Sequence, residues 1–195
     1  MKKCIGLLSL MLLGGCATYR VVSPLDLKSG YFTASPAGNT GVKKANIVKS
    51  VSVDLDSKSD LVFVPVDPFI RGMIENIGYF KKTINVDELQ AEIVRAGVQD
   101  KVPNLLDGIG VNKAYTYFKP FLWVTELDRR DATSQNPLVY RRLVLTDPKT
   151  LEELFVAEVK YDFVWSGVND QSTFYPLYNA LIDYIKSNSK SYAKK

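Results

Sequence analysis

Apolar and polar positions change period along the chain, and the changes mark its elements. Val51, Val53 and Leu55 alternate with polar neighbours, while Leu61 to Val66 is a continuous apolar run. The alternation predicts a half-buried strand in a body that begins near Ile47, and the run predicts a buried central strand. Asp67-Pro68 then predicts a helix start: a carboxylate accepts from the free N–H groups of the first turn, and proline's fixed φ suits the first helical position. Phe69, Ile70, Met73, Ile74 and Ile77 recur at spacings of three and four, and Gly78 suits the stop. A second helix is expected over Val86–Ala96, with Asn85 and Glu88 at capping-box spacing and Gly97 beyond.

After a loop or short helix around Pro103–Gly110 the period falls to two. Phe121–Asp128, Leu138–Thr146 and Leu154–Trp165 are rich in β-branched and aromatic residues and predict an antiparallel meander. Polar stretches at 130–137 and Asp147-Pro148-Lys149-Thr150 join them. In the last strand Phe155, Ala157, Val159, Tyr161, Phe163 and Trp165 share one face, and Glu158, Lys160 and Asp162 the other. Phe174, Leu177, Tyr178, Leu181, Ile182 and Ile185 form the stripe of a closing helix from about Ser172 to Ser187. The expected fold class is α/β (α+β): a two-layer sandwich, its mixed sheet ending in an antiparallel three-strand meander, with helices packed on one face. One such domain occupies 47–188, and 189–195 reads as a basic, frayed tail.

This element order resembles that of the TolB amino-terminal domain and of the curli-secretion lipoprotein. Leu61-Val62-Phe63-Val64-Pro65-Val66 with the helix behind it, and Val144-Leu145-Thr146-Asp147-Pro148-Lys149-Thr150 as a hairpin, carry the likeness. The resemblance implies an α/β fold. No segment matches the pore-forming hairpins of the curli protein, so it implies no pore.

The first fifteen residues have a different character. Met1-Lys2-Lys3 is a short basic start, and Ile5–Leu13 is an apolar run far shorter than the ~20 residues a spanning helix needs. Residues 1–15 therefore read as a secretory leader. Its end, Leu13-Gly14-Gly15-Cys16, resembles the lipobox of bacterial lipoproteins. That resemblance implies cleavage between Gly15 and Cys16, a diacylglycerol thioether on the Cys16 sulfur and an N-acyl chain on the new amine; two or three chains hold a protein stably where one does not. Ala17, in place of the aspartate that favours the inner membrane, implies a periplasm-facing position on the outer membrane, the alternative being a plasma-membrane anchor. Residues 16–46 are rich in Ser, Thr, Gly, Asn and Pro and read as the lipidated N-terminus and tether, parts of which are expected to lie on the body through Tyr19, Val21, Val22, Leu25, Leu27, Tyr31 and Phe32.

Composition narrows the chemistry. The 195 residues carry a net charge of +4, which falls to +2 without Lys2 and Lys3, too little to argue for nucleic acid. The absence of histidine excludes Ser-His-Asp and Cys-His nucleophiles and histidine metal sites. The lipobox resemblance implies that Cys4 leaves with the leader and that Cys16 carries lipid, so no disulfide is expected.

Several constellations remain. Asp54, Asp56, Ser57 and Asp60 bunch oxygens but lack the glycine and glutamate of an EF-hand loop, so a solvated turn is expected and no metal. Arg129, Arg130, Arg141 and Arg142 fall on consecutive strands. With a turn near Thr133–Gln135, Arg142 comes opposite Glu126 and Arg141 near Asp128, either as structural cross-strand pairs or as an anion-binding site for a headgroup or wall polymer. Glu126 and Asp128 have the spacing of acid–base partners or of a wet strand face. Tyr115, Tyr117, Phe118, Phe121 and Trp123 are core aromatics or the wall of a pocket with Arg141 or Arg142 at its mouth. Ser-Lys pairs such as Lys58-Ser59 fall in turns or the tail, where a lysine is not desolvated enough to activate serine.

The expected function is a non-enzymatic interaction, assembly or accessory factor of the cell envelope. Its expected partners are the membrane, through the lipid anchor, and an envelope protein, with no cofactor beyond the covalent lipid. The alternative is a lipid- or glycan-binding module using the aromatic/Arg pocket.

Overall fold

The computed structural model describes residues 22–33, 44–131, 138–161 and 170–192. The leader, Gly15 and Cys16 lie outside them, as do Phe163 and Trp165.

Six strands make one open mixed sheet in the order β1-β6-β5-β4-β2-β3. They are β1 (Asn46–Ser50), β2 (Val62–Phe63), β3 (Thr83–Ile84), β4 (Leu122–Asp131), β5 (Leu138–Asp147) and β6 (Glu152–Tyr161). β4, β5 and β6 form the expected antiparallel meander, β1 joins β6 antiparallel, and β2 runs parallel to both β3 and β4. The helices are α1 (Pro68–Ile77), α2 (Val86–Arg95), α3 (Gly108–Tyr117) and α4 (Tyr175–Asn188).

Local chemistry sets the helix ends as the sequence predicts. The Asp67 carboxylate accepts from the Phe69 N–H at 2.8 Å, and Gly78, with φ 66°, closes α1 in the left-handed conformation. Asn85 and Glu88 form a complete capping box at α2, each side chain accepting from the other's backbone N–H at 3.0 Å. The helix α3 is longer than the short element expected near 103–110. Two glycines in its first turn blur the apolar period, and one is needed: a Cβ at Gly110 would lie 2.0 Å from the Asn104 carbonyl oxygen.

The core has two parts. Val62, Val64, Leu122 and Val124 join α1, α4 and the meander residues Leu143, Leu145, Phe155 and Ala157 in the larger. The alternate residues Leu61, Phe63 and Phe121 pack with Ile84, Leu89 and Ile93 and with Val111 and Ala114 in the smaller. The sandwich of sheet, α1 and α4 is thus as expected, while α2 and α3 cover the reverse face over β2 and β3. The run Leu61–Val64 is apolar at every position because both its faces are buried.

Two segments depart from the expected pattern. The alternation at Val51, Val53 and Leu55 is not a continued strand: Val51 donates to the Leu154 carbonyl, but Val53 and Leu55 donate to the side chain and carbonyl of Asn188 at the end of α4. Residues 189–192 do not form the frayed tail expected of them. Ser189 and Tyr192 are buried, and the Tyr192 hydroxyl donates to the Ile77 carbonyl at 2.8 Å.

Part of the tether region is structural. Phe32 is buried, stacked on Tyr175 with centroids 5.5 Å apart, and its backbone N–H and C=O pair with the Asn179 amide at 2.8 and 2.9 Å. Val22, Leu25 and Tyr31 pack around the same core, whereas Leu27, expected with them, stands in solvent at the tip of a turn.

Candidate functional site

The arginines separate by strand parity. β4 and β5 pair Asp128 with Arg141 and Leu127 with Arg142, so Arg142 is not opposite Glu126. A register differing by one residue sends the two side chains to opposite faces. On the reverse face Arg129 and Arg142 both reach Glu158, at 3.4 and 3.7 Å, and Arg129 also lies over the Tyr140 ring, 4.2 Å from its centroid. On the helix face the Arg141 Nε is 3.1 Å from Asp128. Arg130 is exposed. The four are therefore not gathered into one anion site, and three of them already have carboxylate partners.

Glu126 is on no wet face. Its side chain is 3% exposed beneath α4, where the Tyr178 hydroxyl donates to Oε1 at 2.7 Å and Arg141 Nη1 approaches Oε2 at 3.8 Å. Oε2 has no hydrogen-bond partner among the described residues. Burial pushes the carboxyl up to about 7, against the pull of Tyr178 and Arg141 and aided by the Asp67 and Asp128 charges. Tyr178, wholly buried beside this acid, is raised well above its ordinary value. Sequence reasoning missed this burial because it depends on how α4 crosses the sheet.

Asp56 also has a structural task. It accepts from the Ser189 and Ser191 hydroxyls at 2.5 and 2.6 Å and from the Lys190 N–H at 2.9 Å, and these bonds hold its pKa down at about 2. It clamps the end of α4, a task the reading as a solvated turn does not include, while Asp54, Ser57 and Asp60 of the same stretch are exposed. Among the described residues no three His, Cys, Asp or Glu side chains are grouped to hold a metal ion.

The aromatic cluster divides between core and rim. Phe121 is buried edge-to-face on Phe63, centroids 6.1 Å apart, while Trp123 stacks on Phe63 and Tyr115 leans on Phe121. Tyr117 is half exposed. Apart from Tyr117 these rings belong to the smaller core part, Arg141 is on the other face and Arg142 is held by Glu158, so the expected aromatic/Arg pocket does not form.

A cavity does exist elsewhere. It measures about 800 Å³ and lies between α4, β1 and residues 29–33 and 44–45. Phe32, Phe155, Pro176, Ala180 and Tyr184 give it an apolar wall, with Phe155 and Tyr184 stacked 4.9 Å apart. At its rim the Tyr31 hydroxyl donates to Asp183 at 2.5 Å, and Lys186 sits 4.0 Å from the Tyr31 centroid. The volume is that of sites for small organic ligands, and the apolar wall suits a hydrocarbon group. Four separate segments build it, so no local motif announces it; the signal was Tyr31-Phe32 inside an otherwise polar stretch.

No family model, no curated protein and no solved structure matches this chain. Among the described residues no helix is long and apolar enough to cross a membrane.

Proposed function

We propose that this chain is a bacterial cell-envelope lipoprotein, anchored through diacylglycerol and an N-acyl chain on Cys16, whose α/β body is a non-enzymatic interaction or assembly factor. The observation that carries the reading is Leu13-Gly14-Gly15-Cys16 directly behind a basic start and a short apolar run. Ala17 favours the outer membrane, facing the periplasm.

The body offers surfaces of the kind a partner uses. β1 is an edge strand whose Ile47 and Val48 are each about half exposed. At the start of α3, Leu106 and Ile109 are 89% and 67% exposed. Unpaired strand edges and apolar side chains held in solvent are common docking features.

Labelled palmitate tests the anchor. The native chain should incorporate it and Cys16→Ala should not; label retained in the variant refutes the lipobox reading. Crosslinking in intact cells then tests the partner, and the absence of any envelope protein joined to the body removes the assembly role.

A second reading, a lipid-binding module, draws support from the cavity beside α4. Native mass spectrometry of the extracted protein distinguishes the two, since a non-covalent lipid retained by the native chain and lost in an Ala180→Trp variant favours binding.

A further inference from the structure

We infer that the turn from Asp26 to Tyr31 is a second membrane contact, with Leu27 entering the bilayer surface near the Cys16 anchor. The inference rests on the lipid-anchor reading and adds to it which face of the body meets the membrane.

The turn is built to hold its shape. Gly30 donates to the Asp26 carbonyl at 2.8 Å, and Asp26 donates to the Tyr31 carbonyl at 2.9 Å. The Asp26 carboxylate accepts from the Ser29 and Lys28 N–H groups at 2.8 and 3.2 Å, and Gly30 takes a φ of 71° that suits glycine. Tyr31 ties the turn to α4 through Asp183. At its tip Leu27 is fully exposed, at 102% of the reference area.

One exposed leucine is ordinary on a protein surface. Its distance from the anchor gives this one meaning. The chain is already docked at Val22, which packs against Gly72, and the Asn76 amide donates to the Ser23 carbonyl at 3.1 Å. Five residues separate Val22 from Cys16, and the six steps between them span at most ~22 Å when extended. The body is therefore held close to the bilayer by the face that carries residues 22–33, not by the far end of a thirty-residue leash.

At such proximity a weak contact is enough, because the anchor supplies a high local concentration of membrane. The charges fit a contact led by the leucine. Lys28, Lys44 and Lys186 lie at the turn or around the adjoining cavity, against Asp26, whose Oδ1 is engaged within the turn, and Asp183, whose Oδ1 is engaged by Tyr31. The local balance is only weakly basic, so added salt should change the contact little.

The test uses the full chain, extracted with its own lipid and reconstituted into vesicles of phosphatidylethanolamine and phosphatidylglycerol with brominated acyl chains. A bimane label at Leu27→Cys should be quenched about three-fold or more beyond the same label at Val94→Cys, an exposed site on α2. A label at Ser29→Cys should also be quenched, and should lose that quenching when Leu27→Glu is added. Palmitate labelling of each preparation reports the anchor separately. Equal quenching at 27 and 94 in a palmitate-labelled protein overturns this inference and leaves the anchor standing. Lack of palmitate overturns both. A photo-reactive group at 27 that captures a protein, without quenching, assigns the turn to that protein and overturns the bilayer contact.

Discussion

Replacing Glu126 with Gln keeps the shape of the side chain and removes its charge. The carboxyl is 3% exposed, accepts from Tyr178, and leaves Oε2 without a hydrogen bond among the described residues. Burial moves it from 4.5 to about 7. In the unfolded chain the group ionises near 4.5, whereas the folded protein keeps its proton up to about 7. Across that window the folded state binds more protons, so this group's contribution to stability is present below 4.5 and is lost as pH rises to about 7. At ~1.4 kcal/mol per tenfold the loss is about 3 kcal/mol, an order-of-magnitude figure. Glu126→Gln lacks that loss. Its amide oxygen still accepts from Tyr178, and Arg141 keeps Asp128 at 3.1 Å. Urea unfolding should therefore show variant and native chain nearly equal near pH 4 and the variant more stable by roughly 2–3 kcal/mol near pH 8. A variant equally displaced at both pH values, or destabilised at the higher one, refutes the reasoning, because Glu126 would then be an ionised partner that Arg141 stabilises.

Three further outcomes are expected. Phe32→Ala should cost about 3–5 kcal/mol in chemical unfolding, the cost of emptying a buried aromatic site; a change below ~1 kcal/mol would mean that residues 22–33 are not part of the core. Asn85→Ala should cost about 1 kcal/mol through the broken capping box, read as a shifted unfolding midpoint with an unchanged denaturant slope. Asp56→Asn should flatten the acid limb of the stability curve: the native carboxylate contributes above its ordinary 3.8, and that contribution is lost as pH falls through about 2. Thermal melts across that range would show the loss in the native chain and not in the variant.

Elements with a local cause were legible. The caps at Asp67 and Asn85, the stripe of α4 and the meander each follow from neighbours a few residues apart, and each is present. What was missed depends on distant partners. The two-residue strand β3 carries no period of its own and exists because Val62 and Phe63 offer it a parallel edge. The Arg142 pairing turned on a single residue of register, which a polar hairpin loop does not specify. Glu126, read as half of a wet carboxylate pair, is buried because Tyr178 comes down on it from α4. The cavity draws its walls from segments more than a hundred residues apart, such as Phe32 and Pro176, so it belongs to the tertiary structure alone.

The same long separations bear on how the molecule is made. β1 needs β6, Phe32 needs Asn179 and Tyr175, and Asp56 needs the serines just past α4. A chain emerging N-terminus first can close none of these until β6, α4 or the residues just past α4 are out. Synthesis or export halted before about Tyr192 leaves the early segments without the surfaces that receive them. Degradation should therefore remove products that stop short of it.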